Sequence, residues 1–154
     1  MTRLAILVAT VAYSGYFPFA PGTIGSAAGL LVYLLVWWTK SAIVETALIL
    51  VLFAAGVWAG TTAERYFGGI DPGPVVIDEV VGMLITLAFI PVGLSGALAG
   101  FLLFRIFDVI KPFPAGRLEK LHGGFGVMAD DAMAAVYANI ALRVLIVFFP
   151  EWIA

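Results

Sequence analysis

Ten carboxylates punctuate an otherwise apolar chain, and four of them stand in two adjacent pairs. Asp78 and Glu79 are adjacent in VVIDEVVGM, with strongly apolar residues on both sides. An ionisable residue at membrane depth is expensive and ordinarily faces a protein interior or a water-filled cavity. Two adjacent carboxylates also repel each other unless a cation sits between them. A plainer reading is the first turn of a helix, where acids favour the macrodipole. Arg105, Asp108 and Lys111 stand at i, i+3 and i+6 in FRIFDVIKPFP, near one helix face. They are either a structural ion ladder or a metal-binding carboxylate flanked by two phosphate-binding cations. Asp130 and Asp131 precede the last apolar segment, in GGFGVMADDAM. One Asp suffices as a helix cap; a cap leaves the second unexplained.

Three further features could serve a phosphate. The stretch SGYFPFAPGTIGS, Ser14 to Ser26, leads into an apolar segment through Gly22 and Thr23. A helix N-terminus there could bind phosphate through free backbone N–H groups, or Thr23 or Ser26 could simply cap it. Gly123, Gly124 and Gly126 allow a close backbone approach to a ligand. His122, the one histidine, is either a general acid or phosphate contact, or an interfacial polar residue. Glu45, Glu64, Glu119 and Glu151 read as solvated or headgroup-facing charges, and Trp37, Trp38 and Trp152 as interfacial belt residues. Carboxylates with one histidine and no cysteine suit Mg²⁺, which prefers oxygen ligands. Mg²⁺ with Arg105 and Lys111 suits a phosphate-bearing substrate, and siting beside apolar segments suits a lipid.

The elements that must position these groups are helices. Of 154 residues, 63% are hydrophobic and 12% charged, against about half and a quarter in a typical soluble domain. Lipid must cover part of that excess. The length suits one domain. Net charge is −2, which gives no basic footprint for nucleic acid. Without cysteine there is neither disulfide nor thiolate chemistry. Arg3 followed by Leu4 to Ala12 resembles a short signal-peptide core, but no small-residue cleavage site follows, and a retained interfacial helix is expected.

Five apolar segments follow: Ile24 to Trp38, Thr46 to Thr62, Val75 to Pro91, Gly96 to Phe107, and Ala132 to Phe149. A spanning helix needs about 20 residues. The second and fifth qualify; the others do so only if their polar ends reach the headgroups. The expected fold is all-α: a compact polytopic membrane bundle with four or five membrane helices and a polar site at one face. Lipid-exposed sheet edges are excluded by their unsatisfied backbone. If the region before Ile24 is cytoplasmic, Arg65, Lys111, Arg117 and Lys120 lie inside and Lys40 outside. That topology also collects Asp78, Glu79, Asp108, Asp130 and Asp131 at the cytoplasmic face.

At these motifs the sequence resembles the phosphatidylglycerophosphatase A family. The matching blocks are APGTIGS (Ala20 to Ser26), VVIDEVVGM (Val75 to Met83), FRIFDVIKPFP (Phe104 to Pro114) and HGGFGVMADD (His122 to Asp131). The resemblance implies Mg²⁺-dependent hydrolysis of phosphatidylglycerophosphate to phosphatidylglycerol and phosphate, at the bacterial cytoplasmic membrane, by an all-helical protein. Carried across, the implied site is Asp78, Glu79, Arg105, Asp108, Lys111, Asp130 and Asp131, with the Thr23 turn nearby. Ala135 stands where the pattern suggests glycine, a change expected to touch helix packing and not chemistry. Other phosphatase designs lack their signatures: there is no cysteine nucleophile, no D-x-D motif and no second histidine. The rival reading from another class is a small transporter or ion-conducting bundle, since intramembrane acids also mark ion paths. A noncatalytic membrane subunit is a third. A transporter needs its acids near mid-bilayer, reachable from both sides; a lipid phosphatase needs them at the headgroups, beside cations.

Overall fold

A computed structural model describes residues 1–153; the side chains of Trp152 and Ile153 lie outside the described residues. The chain is all-helical there. A short helix α1 (Thr2–Ala9) and a single 3-10 turn (Ser14–Tyr16) precede α2 (Pro21–Trp37), α3 (Ala42–Phe67), α4 (Ile77–Leu87), α5 (Leu94–Ile110), the one-turn α6 (Ala115–Leu118), α7 (Gly124–Phe148) and α8 (Pro150–Ile153). Two of these, α3 with 26 residues and α7 with 25, are long and apolar enough to cross a membrane. Helix α2 is apolar but has 17 residues. Two such helices, not four or five, therefore meet the criterion on length and composition.

Local chemistry sets the boundaries. Ser41 caps α3, its Oγ accepting from the Val44 amide at 3.4 Å, and Gly68 ends it with φ of 78°. Pro21 occupies the first turn of α2, where its missing N–H costs nothing. Lys111, before Pro112, closes α5 in the left-handed conformation, φ 46°. That conformation costs a non-glycine residue about 1 kcal/mol.

All five apolar segments differ from their sequence boundaries, three of them in ways that bear on the site. The first starts at Pro21, which pulls Gly22 and Thr23 inside the helix. The third ends at Leu87, because the chain turns out of helix at Ala88. The last starts at Gly124, not Ala132, so Asp130 and Asp131 lie in its second turn and cap nothing.

The short α4 is the centre of the bundle, with α2, α3, α5 and α7 around it. Nine of its eleven residues are buried. Small residues let its neighbours close in. A Cβ on Gly25 would lie 2.8 Å from the Val76 Cβ, and one on Gly29 would lie 2.9 Å from the Val80 Cα, so α2 meets α4 almost backbone to backbone. The core runs through Met83, Leu84, Leu87, Phe104 and Leu142, all essentially inaccessible. Outward positions on α2, α3, α5 and α7, such as Leu35, Leu50, Leu102 and Val147, are exposed and apolar, as lipid-facing surface requires.

The chain order gives the bundle two chemically distinct ends. Helices α2, α4 and α7 start where α3 and α5 finish. At the opposite end, α4 stops short and leaves its last carbonyls without helical partners. Asn139 and Arg143 of α7 supply them. Asn139 Nδ2 donates to the carbonyls of Ile85, Thr86 and Ala88 at 3.1, 2.9 and 3.1 Å, and Arg143 donates to Ala88 at 3.2 Å. Tyr33 Oη donates to the Ile90 carbonyl at 3.2 Å, and Glu45 accepts from the Phe89 amide at 3.4 Å.

Candidate active site

At the other end, three helix termini bring the acids and cations together. Asp78 and Glu79 open α4, Arg105 and Asp108 lie in the last two turns of α5, Lys111 follows it, and Asp130 and Asp131 lie near the start of α7. Asp78, Asp108, Asp130 and Asp131 are 5, 8, 2 and 4% exposed. Four buried carboxylates in one region would not persist without positive partners.

Two cations answer part of that charge. Arg105 pairs with Asp108 at 2.7 Å and reaches Glu79 at 3.9 Å. Lys111 pairs with Asp130 at 2.6 Å and Glu119 at 2.9 Å. The ladder expected from spacing is therefore split. Arg105 and Asp108 pair with each other, while the left-handed turn at Lys111 sends its ammonium towards α7. Burial alone would pull that ammonium down. The hydrogen bonds to Asp130 and Glu119 outweigh it and hold Lys111 above the ordinary lysine range.

The remaining charge is not answered by protein. Asp78, Glu79 and Asp131 each bring a carboxylate oxygen to within 4.8 Å of one another. Glu79 Oε2 and Asp130 Oδ1 are buried with no hydrogen-bond partner among the described residues. Carboxylate oxygens converging from three acids, with Glu79 Oε2 left without a donor, fit a hard divalent cation.

The turn before α2 borders this cluster. A Cβ on Gly22 would collide with Glu79 Oε1 and lie 3.0 Å from both terminal nitrogens of Arg105. Ser26 Oγ donates to the Gly22 carbonyl at 2.9 Å and accepts from Arg105 at 3.5 Å. The amides of Thr23 and Ile24 both donate to Ala20, at 2.9 and 3.3 Å. Gly22 thus carries the amide of this turn best able to meet an anion, and neither Thr23 nor Ser26 is a cap.

The glycines of the HGGFG turn have a different use from the ligand approach expected. Gly124 lies against α3, where a Cβ would collide with the Val57 carbonyl and come within 2.7 Å of the Thr61 amide. The Gly123 amide donates to Glu64 Oε2 at 2.8 Å and the Gly124 amide to Thr61 Oγ1 at 2.9 Å. Glu64, read from sequence as a solvated charge, instead caps α7 from a neighbouring helix. His122 is exposed in the preceding turn and joins none of the ion pairs among the described residues.

Sequence reasoning left out two acids. Glu119 also read as a solvated charge, yet it is held by Lys111. Asp71 sat unremarked in a Pro/Gly loop, and its nearness to Glu119 and Asp130 is purely tertiary. Burial pushes the Asp71 carboxyl up to about 6, and the charge of Asp130 adds to the effect.

Comparisons with known proteins place the chain among relatives of known family. A protein of Bacteroides thetaiotaomicron named "Putative phosphatidylinositol-3-phosphatase" is 38% identical, the match covering 92% of each chain. The phosphatidylglycerophosphatase A of Haemophilus influenzae is 43% identical over 84% of this chain and 80% of its own. That of Escherichia coli is 36% identical over 80% and 72%. No solved structure matches. The sequence profile of one family, described as Phosphatidylglycerophosphatase A, spans residues 7–146, and with relatives of that identity and coverage the chain belongs to the phosphatidylglycerophosphatase A family.

Proposed function

We propose that the chain hydrolyses phosphatidylglycerophosphate to phosphatidylglycerol and inorganic phosphate, as an Mg²⁺-dependent enzyme of the bacterial cytoplasmic membrane. One observation carries the reading: buried carboxylates with unpartnered oxygens stand beside the Arg105 guanidinium at one end of an apolar bundle. Asp78, Glu79 and Asp131, with Asp108 and Asp130 beside them, would hold the cation. Bound there, Mg²⁺ would supply charge neutralisation and an activated water.

The chain's own residues do the rest. Arg105 offers its guanidinium to the equatorial phosphate oxygens, with its place fixed by Asp108. Gly22 lies against Glu79 and Arg105, so its amide at the head of α2 would add a donor, with the Thr23 turn holding it in place. Lys111 adds positive charge from the α7 side. The second carboxylate oxygen of Asp131, not the one turned to the cation, takes the proton of the attacking water. His122 serves at most as an outer contact for the headgroup.

The bundle is a single domain in this reading. Its site end faces the cytoplasm, since Arg65, Lys111, Arg117 and Lys120 gather at that end and Lys40 at the other. Helices α2 and α5, at 17 residues each, would then cross a locally thinned bilayer or reach into the headgroups, for four or five membrane helices in all.

The test is phosphate release from phosphatidylglycerophosphate by the purified protein, with Mg²⁺ or with a chelator, beside Asp78→Asn. Phosphatidylinositol 3-phosphate runs as a second substrate, because one relative carries that name. We expect Mg²⁺-dependent release from phosphatidylglycerophosphate, lost in Asp78→Asn. Full release by that variant, or none by the parent, would overturn the reading.

A further inference from the structure

Asp71, Glu119 and Asp130 form a second group of acids, with one carboxylate oxygen from each lying within 4.8 Å of the others. They come from three separate elements: the loop before α4, the residue after α6, and α7. Lys111 Nζ answers two of them, Glu119 at 2.9 Å and Asp130 at 2.6 Å. Three carboxylates against one ammonium still leave two negative charges. Asp130 is 2% exposed, and while its Oδ2 takes Lys111, its Oδ1 is buried without a hydrogen-bond partner among the described residues. A buried carboxylate oxygen of that kind is costly unless a cation or donor meets it.

We propose that Asp71, Glu119 and Asp130 are a second divalent-cation site, joined to that of Asp78, Glu79 and Asp131 through the consecutive pair Asp130–Asp131. Its donors are oxygens only, which selects Mg²⁺ or Mn²⁺ over softer metals. Charge arithmetic agrees, since one divalent ion balances the two uncompensated charges. The site also gives Lys111 a second state. With a cation on Asp130 and Glu119, the ammonium is no longer their only counter-charge and is free to turn to a substrate phosphate.

This inference rests on the basin being a cation-dependent phosphatase site, but it can fail separately. The experiment counts Mn²⁺ bound per chain by electron paramagnetic resonance, on full-length protein stripped with chelator and held in detergent, without substrate. The parent is expected to take up two ions. Asp71→Asn and Glu119→Gln should each bind one, with the second weakened at least tenfold, and Mg²⁺ should displace both from the parent. Glu119→Gln is the safer variant, because that side chain is 41% exposed and the change is isosteric. Asp78→Asn should lose the other ion and keep this one. A parent that binds a single ion, a Glu119→Gln variant that keeps two, or a folded Glu119→Gln variant that loses both would overturn the second site. If Asp78→Asn keeps both ions while Glu119→Gln loses one, the assignment at Asp78 fails and this one stands.

Discussion

Gly22 and Gly124 are both helical glycines pressed against a neighbour, and replacing each by alanine should separate chemistry from folding. At Gly22 the added methyl would overlap Glu79 Oε1 and crowd both terminal nitrogens of Arg105. These are the ends of flexible side chains. Restoring a carbon–oxygen separation near 3.5 Å requires the Glu79 carboxylate to retreat by about 1 Å. The fold can absorb that, and alanine is worth about 0.5–1 kcal/mol more than glycine within a helix. Stability should therefore stay within about 1 kcal/mol of the parent. A misplacement of about 1 Å in a catalytic group can cost about 100-fold in rate, or about 2.7 kcal/mol of barrier. At Gly124 the methyl meets backbone of Val57 and Thr61, which cannot retreat unless α3 and α7 separate. Overpacking of that kind costs about 1–3 kcal/mol. The assay pairs phosphate release in mixed micelles with thermal unfolding in the same detergent. Gly22→Ala should lose about two orders of magnitude in kcat with an unchanged melting curve, and Gly124→Ala should melt earlier. A Gly22→Ala enzyme within threefold of the parent would refute the placement of the α2 terminus against the working groups.

Three further outcomes follow from the same contacts. Asn139→Leu removes the side-chain donor shared by three carbonyls at the end of α4 and should cost about 1–3 kcal/mol in an unfolding measurement, while the folded fraction keeps its turnover because the acids lie at the other end. Glu64→Ala removes the acceptor of the Gly123 amide and should cost about 0.5–2 kcal/mol and lower kcat; Glu64→Gln, which keeps an acceptor oxygen, should restore both. Asp71 titrates at about 6 without metal, and only its ionised form can hold a cation. Apparent Mg²⁺ affinity should thus weaken as pH falls from about 7.5 to about 5.5, less steeply in Asp71→Asn, and titration calorimetry at the two pH values reads the difference.

The sequence disclosed which charges stand together better than it disclosed the architecture. Adjacent or helically spaced charges, Asp78 with Glu79, Arg105 with Asp108, Asp130 with Asp131, are local patterns, and local patterns survive folding. What escaped was set by contacts across the fold. Asp71 and Glu119 are 48 positions apart and meet only because α6 folds back beside α7. Glu64 looked like a charge at the end of an apolar helix, and nothing local reveals that it caps another helix. Asn139 and Arg143 sit inside the most apolar stretch of α7, and their purpose exists only because α4 stops early. The Gly-rich turn misled for a related reason. Glycine permits close approach to anything, and here the neighbour is α3.

The distribution of polar groups also weighs against ion transport, the other class that intramembrane acids suggest. Beyond Asp78 and Glu79, the buried face of α4 continues as Val80, Val81, Met83, Leu84 and Leu87, closed by Phe104 and Leu142. Thr86 is the sole buried polar side chain of α4 past its acids among the described residues, and a lone hydroxyl cannot carry a cation through such a core. At the far end Tyr33, Glu45, Asn139 and Arg143 are engaged by backbone groups of the α4–α5 turn, and among the described residues no second acidic site mirrors the first there. A transport site must open alternately to two sides; these acids have polar surroundings on one. That one-sidedness is what a headgroup phosphate demands. The phosphoester of a membrane lipid lies at the interface, and Phe17 and Phe19, exposed just ahead of α2, are rings of the kind that settle there. An enzyme with its charge at one end can then reach the phosphate without drawing it into hydrocarbon, while the apolar remainder of the bundle keeps that end at the right height.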